Sequence, residues 1–310
     1  MLVAMLFFFA KELKHHWQEV AAIRIDGGGW ICLALGIIAS LLAFAWSGWV
    51  WKWTLEEFKH RLHTLWVVKV YLKTHIAKYL PGHLWHYYGR IWSVKDVGVP
   101  VEVGTLSVAI EPILMISAAL LTALISSQLC REVSPNNQNC GLLVFGLLGV
   151  LMTAHPRILN PLLLVLAKLK QKTKGCVSGK AIAYKLERYP VKLLLGELGF
   201  VILRCGGFLF TFVALTEVNA SQIPMLVNTF SLAWLAALVL PGAPGGVGVF
   251  EATAIAILNQ SFSTGLVLSV VALFRLVTVL AEAIGAGLAW LDERRYKLNI
   301  ATSGSHQIQS

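Results

Sequence analysis

Apolar residues gather into long, nearly continuous runs: Leu33–Ser47, Leu106–Ile125, Leu142–Thr153 and Val267–Leu280 are the clearest. Several reach or approach the roughly 20 residues a helix needs to cross a bilayer core. A soluble protein of 310 residues can bury one or two such helices in its interior, not six. The pattern predicts membrane helices over 30–51, 101–127, 141–166, 193–216 and 265–291, with shorter apolar pieces at 223–240 and 247–259. Pro156 and Pro161, in "HPRILNP", limit helix continuity in 141–166. The fold class expected is all-α: a polytopic integral membrane helical bundle of about 6–8 membrane segments, with one or two re-entrant or broken helices. Residues 1–292 read as a single transmembrane domain and 293–310 as a disordered cytoplasmic tail.

Two stretches interrupt the apolar pattern in the same way. "KYLPGHLWHYYGR" (Lys78–Arg90) and "VLPGAPGGVGVFE" (Val239–Glu251) each place a Pro-Gly pair after an apolar run, followed by glycine and a strong charge. Proline removes a backbone donor and halts a helix, and glycine lets the chain turn or approach another backbone. Broken backbone at membrane depth is tolerated only where protein or a water-filled cavity satisfies its polar groups. Pro81, Gly82, Pro241, Gly242, Gly245, Gly246 and Gly248 are therefore expected around a protein-lined interior space. The helix starting near Gly246–Val249 would turn a half-helix N-terminus toward an anion such as a phosphate. Close helix packing or a surface loop would also use such glycines. The first motif, near Lys73, His75 and Lys78, would equally suit an amphipathic segment on the membrane surface. The shared Leu-Pro-Gly raises the possibility of an internal repeat, though no further periodicity supports it.

Charges inside the apolar runs sharpen this picture. Glu111, Glu197, Arg204, Arg275 and Glu282 lie within spans, and Glu251 follows the second break. Each is expensive in lipid and is expected to face the bundle interior or water. Glu197 and Arg204 are seven residues apart, as are Arg275 and Glu282, so each pair shares a helix face. They can form diagonal ion pairs or line one polar cleft. In that cleft the basic groups would meet a lipid phosphate while the acids hold them in place. A purely structural buried network is the competing account.

Composition agrees with the membrane reading: 57% of residues are hydrophobic and only 14% charged. The net charge of +10 comes largely from stretches between apolar runs, 52–100 and 167–192 above all, which fits anionic lipid and topology better than nucleic acid. The positive-inside rule puts these stretches and the C-terminus in the cytoplasm, and 128–140 outside. Of the 11 tryptophans, eight fall between Trp30 and Trp92, as an interfacial belt would place them. The N-terminal "MLVAMLFFFA" lacks a secretory pattern and covers only about 15 Å as helix. It is expected to be an interfacial stub, or the remainder of a first membrane helix. Cys130 and Cys140 share the outside segment, where a disulfide is permitted.

Signals for catalysis are weak. The five cysteines form no CxxC pair, and the histidines lack a cluster of carboxylates or cysteines, so no metal and no cofactor is expected. "GCVSGKA" (Gly175–Ala181) has three residues rather than four between its glycines and alanine after its lysine, so it is not read as a P-loop. No nucleophile, base and orienting group stand at local spacing.

The two broken motifs together resemble the flippase-like membrane region of the lysylphosphatidylglycerol synthase family. This family includes the membrane half of the bacterial multiple-peptide-resistance factor and stand-alone relatives. The resemblance runs from about residue 20 to 292. Its most specific part is the second motif, where Pro241, Gly242, Pro244, Gly245, Gly246, Gly248 and Glu251 all match; Lys78, Trp85 and Arg90 match one branch of the first. Arg275 matches an arginine of the last membrane helix. Glu111 resembles a glutamate often preceding an arginine, here Pro112. The resemblance implies movement of a phospholipid or polyisoprenoid-linked lipid between leaflets of a bacterial plasma (inner) membrane. It also implies that an aminoacyl-transferase domain, where members have one, is a separate soluble unit; this chain is expected to lack it. The partners expected are an anionic or polyisoprenoid-linked lipid and an envelope-biosynthesis enzyme. A lipid-modifying transferase and a non-catalytic subunit of a cell-envelope enzyme remain as rivals.

Overall fold

The computed structural model describes residues 25–80, 84–131, 140–153, 189–240, 248–259 and 261–307. Among these, the chain forms nine α-helices and two 3-10 turns, with no strand. In chain order the helices are α1 (Gly27–Glu57), α2 (Thr64–His75), α3 (Trp85–Asp96), α4 (Val101–Arg131), α5 (Cys140–Thr153), α6 (Val191–Val213), α7 (Ile223–Val239), α8 (Val249–Leu258) and α9 (Thr264–Gln307). Among the described residues, five helices are long and apolar enough to cross a membrane: α1, α4, α6, α7 with its preceding turn, and α9. The chain is thus a multi-pass membrane protein built as a helical bundle.

Local chemistry explains the ends. Asp26 accepts a hydrogen bond from the Gly29 N–H at 2.7 Å, so the Gly27-Gly28-Gly29 triplet opens α1 rather than preceding it. Helix α9 does not stop near residue 291: the tail expected to be disordered from 293 is helical as far as Gln307. "DERRYKLNI" has no proline or glycine to end a helix, and its charged residues are good helix formers. Pro112 sits inside α4 and removes one backbone donor next to Glu111.

Apolar side chains cannot drive helices together within lipid, because lipid tails are equally apolar; packing and polar contacts must do it. Helices α1 and α6 meet through small residues. A Cβ added to Gly207 would lie 2.8 Å from Ser40 Oγ and 3.3 Å from the Gly36 carbonyl oxygen. Trp46 Nε1 donates to the Gly196 carbonyl at 2.7 Å across the same interface. Asn228 of α7 donates to the Ala123 carbonyl of α4 at 2.9 Å. An aromatic cluster ties α6, α7, α8 and α9: Phe208 packs against Phe230, Phe250 and Phe274 at centroid distances of 5.7, 6.2 and 5.4 Å. Such pairs each contribute about 0.5–1.5 kcal/mol beyond burial. The opposite helix faces carry exposed Ile38, Leu42, Leu195, Ile202, Leu276 and Leu288, as a lipid-facing belt requires.

The basic stretch 52–100 is not a loop. It folds into a helical hairpin, α2 and α3, whose Val67, Tyr71 and Arg90 are fully buried. Its register is set by α9. Lys69 pairs with Asp292 and Lys73 with Glu293 at one end of the bundle, while Lys78 reaches Glu282. Helix α2 and the 3-10 turn Ile76–Tyr79 therefore run inward beside α9 for about 14 Å, nine residues at 1.5 Å each. The second hairpin, α7 and α8, comes from the opposite end: Ser261, just after α8, contacts Met225 at the start of α7 at 3.5 Å. Glu251 at the start of α8 meets Arg275, which stands 11 residues, or roughly 16 Å, along α9 from Thr264. Lys78 of the first hairpin and Glu251 of the second thus reach α9 from opposite ends of the bundle.

Candidate functional site

Three ion pairs define a polar layer. Lys78 Nζ donates to Glu282 Oε1 at 2.5 Å. Arg90 Nη1 donates to Glu111 Oε2 at 2.5 Å, and Arg275 Nε donates to Glu251 Oε1 at 2.7 Å. Diagonal pairs among Glu197, Arg204, Arg275 and Glu282 are not among the ion pairs of the described residues. Helical geometry puts Glu197 and Arg204 on one face but about 10 Å apart along the axis, too far for contact. Glu282 and Arg275 instead answer Lys78 and Glu251, and Arg204 reaches Ser40 of α1 and Thr278 of α9.

The pairs are joined by further polar contacts. Tyr71 Oη donates to Glu111 Oε1 at 2.8 Å and lies 2.7 Å from Ser47 Oγ. The Arg90 guanidinium sits 3.7 Å from the Tyr71 ring centroid. His75 stands between the two cations of the first hairpin, with Nδ1 3.4 Å from Arg90 Nη2 and Nε2 3.3 Å from Lys78 Nζ. A line of contacts therefore runs from Ser47 through Tyr71, Glu111, Arg90, His75 and Lys78 to Glu282.

Arg204 differs from these cations. It is 3% exposed, and no carboxylate lies within ion-pairing distance of it among the described residues. Its Nη1 donates to Ser40 Oγ at 3.3 Å and Thr278 Oγ1 at 3.1 Å, while Nε has no partner among the described residues. The rings of Phe44, Phe274 and Trp234 surround the guanidinium at 4.8–5.4 Å. Glu282 and Arg275, both on α9, act on it electrostatically. Glu282 Oε2, like Arg204 Nε, is buried without a hydrogen-bond partner among the described residues. A donor and an acceptor thus stand unfilled in the same layer.

Glu251 also closes the start of α8. Gly248, at φ 89°, is in the left-handed region that glycine tolerates, and its N–H donates to Glu251 Oε2 at 2.6 Å. The helix end expected to face a ligand anion is thus partly satisfied by the protein's own carboxylate.

Of the residues singled out by sequence, Lys78, Arg90, Glu111, Glu197, Arg204, Glu251, Arg275 and Glu282 are brought to the bundle interior. Trp85 is not. It is half-exposed, with its ring edge-on to Tyr88 on the outer face of α3. Gly248 is at the N-terminus of α8. Pro81, Gly82, Pro241, Gly242, Gly245 and Gly246 lie outside the described residues, as do the break at Pro156 and Pro161 and most of the basic stretch 167–192. The Cys130–Cys140 bond falls on side chains outside the described ones. Tyr71, Ser40 and Thr278 escape the sequence reading, and His75 enters it only as part of an amphipathic surface segment. Tyr71, His75 and Lys78 recur at i, i+4 and i+7, a helical stripe that would have flagged the first two.

A family model described as "Lysylphosphatidylglycerol synthase TM region" matches residues 1–285. No curated protein matches the chain.

Proposed function

Because the chain belongs to the lysylphosphatidylglycerol synthase TM-region family, we propose that it moves an anionic phospholipid or a polyisoprenoid-linked lipid between membrane leaflets. The observation that carries this reading is Arg204: a buried cation with no carboxylate partner among the described residues, held between Ser40 of α1 and Thr278 of α9. A phosphate diester would supply the missing negative charge and accept from Nε, while the acyl chains stay in the surrounding bilayer. Glu282 would accept from a hydroxyl or amine of the head group. Lys78, Arg90, Glu111, Glu251 and Arg275 hold the hairpin tips in place around it. The layer is reachable from both ends only if the tips open in turn, so the ion pairs act as gates as well as struts.

The bundle end that carries Lys52, Lys69, Lys73, Arg294 and Arg295 would face the cytoplasm of a bacterial inner membrane, by the positive-inside rule. The C-terminus would share that side. Residues 1–292 would form the transporting unit.

The test is reconstitution of the full chain in vesicles of phosphatidylglycerol and phosphatidylethanolamine, with head-group-labelled fluorescent phosphatidylglycerol and dithionite quenching. Leaflet exchange above protein-free vesicles is expected, falling about tenfold or more in Arg204→Gln, as loss of one charge-assisted hydrogen bond implies. A correctly inserted wild type that exchanges no lipid across a panel including a polyisoprenyl phosphate would overturn the reading. Product formation from a donor and lipid in detergent would favour a transferase instead. Tight co-purification with an envelope enzyme, without exchange, would favour a membrane subunit.

A further inference from the structure

One buried acid takes no part in the layer just described. Glu197 of α6 is 2% exposed, and its Oε2 has no hydrogen-bond partner among the described residues. The groups facing it come from four helices. Helix α1 contributes Trp46, Val50 and Trp53 beside Gly196, one residue before it, and the Trp46 N–H is already committed to the Gly196 carbonyl. The titratable and charged neighbours are Glu111 of α4, Arg90 and Tyr87 of α3, and Tyr71 of α2.

Two of the donors among them serve Glu111, while Arg90 Nε, like Glu197 Oε2, is buried without a hydrogen-bond partner among the described residues. Arg90 Nη1 bonds Glu111 Oε2, Arg90 Nη2 faces His75, and Tyr71 Oη bonds Glu111 Oε1. Two carboxyl groups therefore share the field of one arginine. A buried carboxylate without a donor is costly, and two close carboxylates cannot both be ionised cheaply.

We propose that Glu197 is a proton-binding site, and that its proton couples the bundle to a transmembrane proton gradient. The step is simple in its balance: one proton passes from water to a carboxylate oxygen, an O–H bond forms, and nothing is oxidised or reduced. The neutral carboxyl then leaves Arg90 to Glu111 alone. Release of the proton places a second negative charge beside Arg90. That charge competes with Glu111 for the guanidinium and pulls on the line Arg90–His75–Lys78–Glu282, which ends at the tip of the first hairpin. Protonation thus biases whether the Lys78–Glu282 pair is closed.

The coupling half of this proposal rests on the lipid-exchange reading; the proton site does not. Two measurements on the full chain separate them. Infrared difference spectroscopy in phosphatidylglycerol–phosphatidylethanolamine vesicles should show a protonated-carboxyl stretch in the wild type. The band should shift in deuterium oxide and vanish in Glu197→Gln, a near-isosteric change that keeps the packing. The same band persisting in Glu197→Gln would overturn the site. In the second measurement, exchange of fluorescent phosphatidylglycerol is followed under an imposed pH gradient, with and without a protonophore. The wild-type rate should depend on the gradient, and Glu197→Gln should lose that dependence. A Glu197→Gln protein that follows the gradient as the wild type does would overturn the coupling. If the wild type exchanges no lipid at all, the function proposed above fails, while the infrared result still decides whether Glu197 holds a proton.

Discussion

The two broken hairpins solve one problem with opposite signs. In the first, the hairpin brings the cations, Lys78 and Arg90, and the longer helices α9 and α4 supply the acids, Glu282 and Glu111. In the second, the hairpin brings the acid, Glu251, and α9 supplies the cation, Arg275. Their settings differ as well. The Arg90–Glu111 pair is almost wholly buried, whereas the Arg275 side chain is 28% exposed. The second tip relies on a glycine at positive φ and a helix cap made by its own carboxylate, whereas the first helix after its break starts at Leu84 with an ordinary φ of −102°. The first hairpin is therefore anchored mainly by buried charge, and the second by backbone conformation and a more open pair.

The largest effect is expected where burial is deepest. Glu111→Ala leaves Arg90 buried and unpaired, which typically costs about 3–5 kcal/mol. Most of the protein should be lost from the monodisperse peak on size-exclusion chromatography in detergent. Equal folded yield for Glu111→Ala and wild type would break the claim that charge anchors the first hairpin. Next comes Glu251→Ala, which removes the α8 cap and the partner of Arg275 together. The cap alone is worth about 1 kcal/mol, and the half-open ion pair adds about 1 kcal/mol or less. A lower midpoint in a thermal-shift assay, smaller than the loss in Glu111→Ala, is the expected order.

A third change isolates backbone from charge. Gly248→Ala keeps every ion pair but forces a side chain into left-handed backbone, at a cost of about 1–2 kcal/mol. Leu84→Ala, the matching position in the first hairpin, has no such strain and should retain the wild-type thermal midpoint apart from a small loss of exposed apolar surface. The smallest effect belongs to the outer rung. Lys69 and Asp292 are half-exposed, so Lys69→Ala should cost at most about 1 kcal/mol, and raising salt should shrink the difference from wild type. A large, salt-independent loss would show that this rung, not the buried pairs, holds the first hairpin.

Much of this was open to reading before any coordinates. Long apolar runs marked α1, α4, α6 and α9, and the motif around Pro241–Glu251 marked both the break and the family. The buried charges Glu111, Glu197, Arg204, Arg275 and Glu282 were legible because ionised groups are rare and costly within such runs. Three features were not. The segment 52–100 carries enough lysine and arginine to look like a surface loop, because hydropathy averages the charged tips with the buried stripe of Val67, Tyr71 and Val94. The helical tail is not legible because its polarity reads as disorder, although most of its charged residues favour helix. Partner choice was missed because spacing along one helix says which charges share a face, not which neighbouring helix answers them.

Sequence alone determined that this is a helical membrane protein, that its helices break at two Pro-Gly motifs, and that charges lie at membrane depth. These follow from local properties: apolar length against bilayer thickness, proline's missing donor, and the cost of charge in lipid. Only the tertiary structure decided that Lys78 and Glu251 reach α9 from opposite ends, that Lys78 answers Glu282 and Arg275 answers Glu251, and that Arg204 has no carboxylate partner among the described residues. Ion pairing depends on distances of a few ångströms between residues up to 223 positions apart. Those distances are set by how close Gly36, Gly48 and Gly207 allow the helices to come, a property of the packed bundle and of no single segment.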